Sequence, residues 1–116
     1  MAGGEIEMIK SYVLSGTIAA GASWTRITSL TSPSGVTRKV IEVRPYVSVS
    51  SGVQIRLNLM TEVYMQLTAE VINSIKYPYP ADLVAAPGQE IVLEAMNSGT
   101  SAATIIVELI CEETVR

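Results

Sequence analysis

The sequence predicts an all-β fold: a β-sandwich of about eight antiparallel strands, jelly-roll topology preferred, filling one domain over residues 1–116. Three observations predict it. Apolar and polar residues alternate with period two, the pattern of a strand with one face buried. Valine, isoleucine and threonine are abundant, and branching at Cβ favours extended backbone. Turn chemistry recurs along the chain at Ser32-Pro33-Ser34-Gly35, Tyr77-Pro78-Tyr79-Pro80, Ala86-Pro87-Gly88-Gln89 and Asn97-Ser98-Gly99-Thr100.

The clearest strand is Val53 to Leu59. Val53, Ile55, Leu57 and Leu59 share one face, and Gln54, Arg56 and Asn58 the other. Before it, Ile41, Val43, Val47 and Val49 fall on one face and Glu42, Arg44, Tyr46 and Ser48 on the opposite one. Pro45 has no N–H to give to a ladder, which implies an edge or a bulge there. Ser50-Ser51-Gly52 supplies a tight turn, so Val40 to Leu59 reads as a hairpin. Further strands are expected at Glu5 to Leu14, Ser23 to Thr31, Val63 to Ile72, Asp82 to Ala85, Glu90 to Met96 and Ala102 to Glu112. Met65, Gln66, Leu67, Ala69 and Glu70 are good helix formers, but Val63, Met65, Leu67, Ala69 and Val71 alternate, which favours a strand.

The final strand is apolar on both sides. Ile105, Val107, Leu109 and Cys111 lie on one face, with Ile106 and Ile110 on the other. The outer face of a two-sheet sandwich normally meets water, so Ile106 and Ile110 are the candidate oligomer interface. Composition agrees. Apolar residues make up 48% of the chain and mean hydropathy is +0.36. Charged residues are 16%, against about 25% in an average domain. A small sandwich with that excess is expected to display apolar surface to a partner.

Much chemistry is excluded by residue type. The chain has no histidine and one cysteine, Cys111. That removes Ser-His and Cys-His nucleophile pairs, most zinc sites and any internal disulfide. No phosphate-binding glycine loop or EF-hand occurs. Catalytic, cofactor-binding and metal-ligating residues are therefore expected to be none, and the protein is not expected to be an enzyme. Glu42, Glu62, Glu70, Asp82, Glu90, Glu94 and Glu108 could in principle supply a carboxylate pair, but strand and turn positions make solvated charges the simpler reading. Glu112-Glu113 reads as a solubilising end. No apolar run is long enough for a membrane span, and the N-terminus lacks the basic start and apolar core of a signal peptide. Five basic residues between Arg26 and Arg56 face a single acid, Glu42, whereas eight acids follow Leu57. The net charge of −3 argues against nucleic acid as a partner. The asymmetry would suit subunits meeting basic side to acidic side.

Among the aromatics, Trp24, Tyr77 and Tyr79 form a candidate binding loop. Each proline of Tyr77-Pro78-Tyr79-Pro80 holds the tyrosine before it extended, which stiffens the display of two rings. Carbohydrate is the ligand class such rings would stack upon.

The last third of the chain carries a resemblance. Ala86-Pro87-Gly88-Gln89-Glu90-Ile91, then Asn97 in the following turn and a long final strand, resemble the ends of small jelly-roll virion proteins. Those are the capsid-decoration and spike or fibre domains of phages and archaeal viruses. The resemblance implies a structural protein of the virion, homo-oligomeric and expected as a trimer, with itself and other virion proteins as partners and no cofactor. No functional residue of that family can be matched to a position here. The alternative reading is a carbohydrate-binding module.

Overall fold

The computed structural model describes residues 6–74 and 78–116. Eight strands and one short helix follow in order: β1 (Ile6–Ile18), β2 (Thr25–Thr31), β3 (Val36–Val47), β4 (Val53–Leu59), β5 (Glu62–Thr68), α1 (Ala69–Ser74), β6 (Tyr79–Ala85), β7 (Glu90–Asn97) and β8 (Ala103–Val115). They form two four-stranded antiparallel sheets, ordered β1-β8-β3-β6 and β2-β7-β4-β5. The pairing is nested. β1 lies beside β8, β2 beside β7, β3 beside β6 and β4 beside β5, as though one long hairpin had been wrapped into two layers. This order is compatible with the jelly roll preferred from the sequence.

One core lies between the layers. Val40, Val43, Val47, Ile105, Val107 and Leu109 face it from the first sheet, and Val53, Ile55, Leu57, Ile91 and Leu93 from the second. The alternation in β4 is observed as expected, with the boundaries read from the sequence. Gly16 lets the layers close at the β1–β2 corner: a Cβ there would stand 2.4 Å from Cγ2 of Ile27.

Three expectations need correction. The Val40 to Leu59 hairpin does not form, because β3 and β4 belong to different sheets. Alternation fixes which face of a strand is buried but not which strand lies beside it, and Ser50-Ser51-Gly52 bends the chain across the sandwich rather than back along it. The strand expected over Val63 to Ile72 ends at Thr68. Its hydroxyl accepts a hydrogen bond from the Val71 N–H at 3.3 Å, an N-cap that starts α1, and Ala69 and Ile72 then close the core. Within β3, the face assignment shifts at a bulge between Val40 and Glu42, so Val40 rather than Ile41 is buried. Pro45 sits beyond the last residue of β3 that β6 pairs with, Val43, where that side of β3 is free.

The sequence asymmetry of charge is resolved inside the chain. Arg26 pairs with Glu90, Arg38 with Glu113, Lys39 with Asp82, Arg44 with Glu108 and Arg56 with Glu94. The basic early strands lie across from the acidic late ones because the fold nests them, so these charges have partners without a second subunit.

Candidate assembly surface

The outer face of the β1-β8-β3-β6 sheet carries an apolar ridge; Met60, Val63, Tyr64 and Val71 are exposed elsewhere, on or beside β5 and α1. β8 lies between β1 and β3, and the register places Ile106 between Ser15 and Tyr46, and Ile110 between Ser11 and Glu42. One row away from each, Val13 stands beside Glu108 and Ile9 beside Glu112. Ile106, Val13, Ile110 and Ile9 therefore zigzag along the β1–β8 seam as diagonal cross-strand neighbours, close enough for large side chains to touch. Ile9 is 64% exposed, Val13 61%, Tyr46 52% and Ile106 37%, while Ile110 is half-buried. The two candidate interface residues thus sit within a longer ridge, which the sequence reading did not anticipate because β1 had not been placed beside β8. Arg44 borders the ridge on the β3 side, 3.0 Å from Glu42 and 3.4 Å from Glu108. Ile106 is not covered by the N-terminal end of β1, since Ile6 to Met8 pair with Val115 to Glu113 at the far end of the seam.

The candidate binding-loop residues lie apart from this ridge. Tyr77 falls outside the described residues. Tyr79 opens β6 rather than a turn; it is half-buried, and its hydroxyl donates to the Val71 carbonyl at 3.4 Å. Trp24 lies near the outer face of the other sheet, with the Arg56 guanidinium 4.0 Å from its ring centre. That cation–π contact occupies one face of the ring on which a sugar would stack. Beside it, Arg26, Arg56, Asn58, Glu90 and Glu94 line a concavity of about 320 Å³. Arg26 lies 2.9 Å from Glu90, and Glu94 accepts from Arg56 Nε and from Asn58 Nδ2, each at 2.6 Å. Hydrogen bonds from Arg26 and Arg56 hold the Glu90 and Glu94 carboxyls below their usual range. Both therefore stay ionised near neutrality, unlike the raised-pKa acid that glycoside hydrolysis requires.

A polar cluster that sequence reasoning missed sits on the inner face at one end of the first sheet. Arg38 and Glu113 are both 3% exposed, with Arg38 Nε 2.7 Å from Glu113 Oε2. Tyr12 donates its hydroxyl to the same carboxylate oxygen, and Arg38 donates to the Thr31 carbonyl at 3.1 Å and to the Tyr12 hydroxyl at 3.2 Å. Glu113 was expected as part of a solubilising end; Glu112 is exposed, but Glu113 is buried. The signal was present, since Glu113 continues the inward parity of Leu109 and Cys111. Cys111 lies fully buried nearby, and burial pushes its thiol up to about 11, so it is protonated at neutral pH and behaves as a small apolar side chain.

No protein-family model and no curated protein matches the chain. Among solved structures, a chain of the acidic stable capsid structure of Helicobacter pylori bacteriophage KHP30 is similar, with a TM-score of 0.56 and 15% sequence identity. The similarity covers 92% of this chain and 91% of that one. At this identity the likeness is one of fold. That likeness in fold extends over nearly the whole chain.

Proposed function

We propose that this protein is a non-enzymatic structural component of a virus particle that assembles with copies of itself through the outer face of the β1-β8-β3-β6 sheet. The observation that carries the reading is the end-to-end likeness in fold to a chain of a phage capsid structure. The apolar ridge supplies the means. Ile106, Ile110, Val13 and Ile9 stand where a water-facing sheet would carry polar side chains; a fully exposed large aliphatic withdrawn from water contributes about 1.5–3 kcal/mol, and these partly covered ones contribute less. Capsid decoration and a spike are the roles that suit a small sandwich of this kind, and a trimer is the stoichiometry the virion resemblance implies. The sugar-binding alternative has less support, since Trp24 is stacked with Arg56 and Tyr79 is packed against α1.

Ile106→Lys tests the reading. A charge in the middle of the ridge is expected to shift the sedimentation coefficient from oligomer to monomer. The far-ultraviolet circular dichroism should be unchanged, because the side chain points away from the core. An Ile106→Lys protein that sediments as the same oligomer would remove this face from the interface. An unmodified protein that is monomeric and binds glycans with a change in Trp24 fluorescence would favour the binding-module reading.

A further inference from the structure

The four sheet edges of the sandwich are not equally protected. β6 is seven residues long and carries Pro80. β2 and β5 are seven residues each, with register irregularities at Arg26/Thr28 and Leu57/Asn58 in their ladders. Short strands, prolines, bulges and charged side chains are devices that keep an edge from pairing with another chain. β1 has none of the first three, and of the last it carries Glu7 and Lys10. It runs for thirteen residues, pairs with β8 in unbroken register from Ile6↔Val115 to Ile18↔Ala103, and contains no proline. Among the described residues its ladder partner lies on the β8 side alone.

We infer that the free edge of β1 pairs antiparallel with β1 of a second copy across a two-fold axis at Ser11, joining two four-stranded sheets into one of eight. This rests on the reading above that the chain assembles with copies of itself, and adds a contact at the sheet edge and its register; a two-fold contact gives a dimer, or a hexamer where a threefold is also present, and not a lone trimer. The strand is self-complementary there. A two-fold at Ser11 sets Ile9 against Val13 of the second copy on the outer face, twice by symmetry, and Glu7 against Ser15. On the inner-face side it sets Met8 against Leu14 and Lys10 against Tyr12, so no charge meets its like. A two-fold at Lys10 would oppose two ammonium groups. One at Tyr12 would set Ile9 against Ser15 and Val13 against Ser11, breaking the apolar ridge. With the axis at Ser11 the ridges of the two copies run together into one apolar surface spanning the joined sheet. Closed two-fold contacts of this self-matching kind are the commonest in soluble oligomers.

Cysteine cross-linking tests both the contact and its register. Directly opposed residues in antiparallel strands have Cα atoms about 4.5–5.5 Å apart, inside the range of about 4.4–6.8 Å that a disulfide spans. Ser11 is exposed on the outer face, so Ser11→Cys leaves the core untouched, and the native Cys111 is buried. Under mild oxidation Ser11→Cys is expected to give a covalent dimer, whereas Ser15→Cys, which would face Glu7, and the unmodified protein are not. Ser11→Lys is expected to weaken dimerisation by about tenfold or more, since it opposes two like charges on the axis. A protein that sediments as an oligomer while Ser11→Cys fails to cross-link, or while Ser15→Cys cross-links as fast, overturns the edge contact and leaves the assembly reading standing. A protein that stays monomeric at every concentration overturns both.

Discussion

Replacing Arg38 with methionine is expected to lower folding stability by about 3–5 kcal/mol, the usual consequence of stripping one partner from a buried ion pair. The guanidinium bonds Glu113, the Thr31 carbonyl and the Tyr12 hydroxyl, and lies 4.5 Å from the Tyr12 ring centre. Without it, Glu113 keeps the Tyr12 hydroxyl and a distant Lys10 amine at 3.9 Å. Urea unfolding measures the loss. Converting both partners, Arg38→Met with Glu113→Leu, should restore most of it, because an apolar pair leaves no charge to desolvate. The pH dependence has a definite sign. Burial pushes the Glu113 carboxyl upward, but hydrogen bonds from Tyr12 and Arg38 and the charges of Arg38 and Lys10 outweigh it, and the group titrates below its ordinary range. Its contribution is therefore complete above the unfolded value of about 4.3 and is lost as pH falls through the lower folded value. The gap between wild type and Arg38→Met should be widest near neutrality and should narrow in acid. A gap that grows on acidification would show that Glu113 is not the charge being compensated.

Ile55→Ala is expected to destabilise by about 2–5 kcal/mol, combining lost burial with the cavity left in a close-packed layer. Ile55 is 2% exposed and faces the opposite sheet from the middle of β4, with Ala95 and Leu67 beside it on the flanking strands. Leu57→Ala should cost a similar amount, and Gln54→Ala little, since Gln54 lies on the outer face and bonds Gln66. Asn58 differs from its sequence expectation. It does point to the outer face, but it is 5% exposed because it is packed against Glu94. Asn58→Ala should therefore cost more than Gln54→Ala, about 1.5–3 kcal/mol for a hydrogen bond to a charged group. That cost is partly offset because its buried Oδ1 has no partner among the described residues. Chemical denaturation of the four variants gives the order directly. Equal losses at Gln54 and Ile55 would mean that the faces of β4 are assigned wrongly.

The fold class was legible because it depends on local quantities. In β4, period two and the bounding turns gave both ends of the strand. The nested pairing was not legible, since an inward-facing valine looks alike whichever neighbour it has, and Val47 and Val53 enter one core from opposite layers. β1 runs on to Ile18, past the expected end at Leu14, because Ser15-Gly16-Thr17 resembles turn chemistry although Gly16 serves a close approach to Ile27. The helix after β5 had a readable signal in Thr68, whose side chain caps it, but the alternation through Val71 masked that signal. Of the candidate surface, Ile106 and Ile110 could be found because their strand is apolar on both faces. Ile9 and Val13 could not, because their place beside β8 depends on contacts about a hundred residues apart in the chain. In the Arg38–Glu113–Tyr12 cluster the inward parity of Glu113 was readable, but its partners were not, since they lie 75 and 101 residues away in the chain.

The central claim is that this chain works by associating with copies of itself. Sedimentation equilibrium of the unmodified protein over a wide concentration range tests it most directly. The account predicts a defined closed oligomer whose mass is an integral multiple of 12.4 kDa and which dissociates on dilution. A single species of 12.4 kDa at every concentration would contradict it.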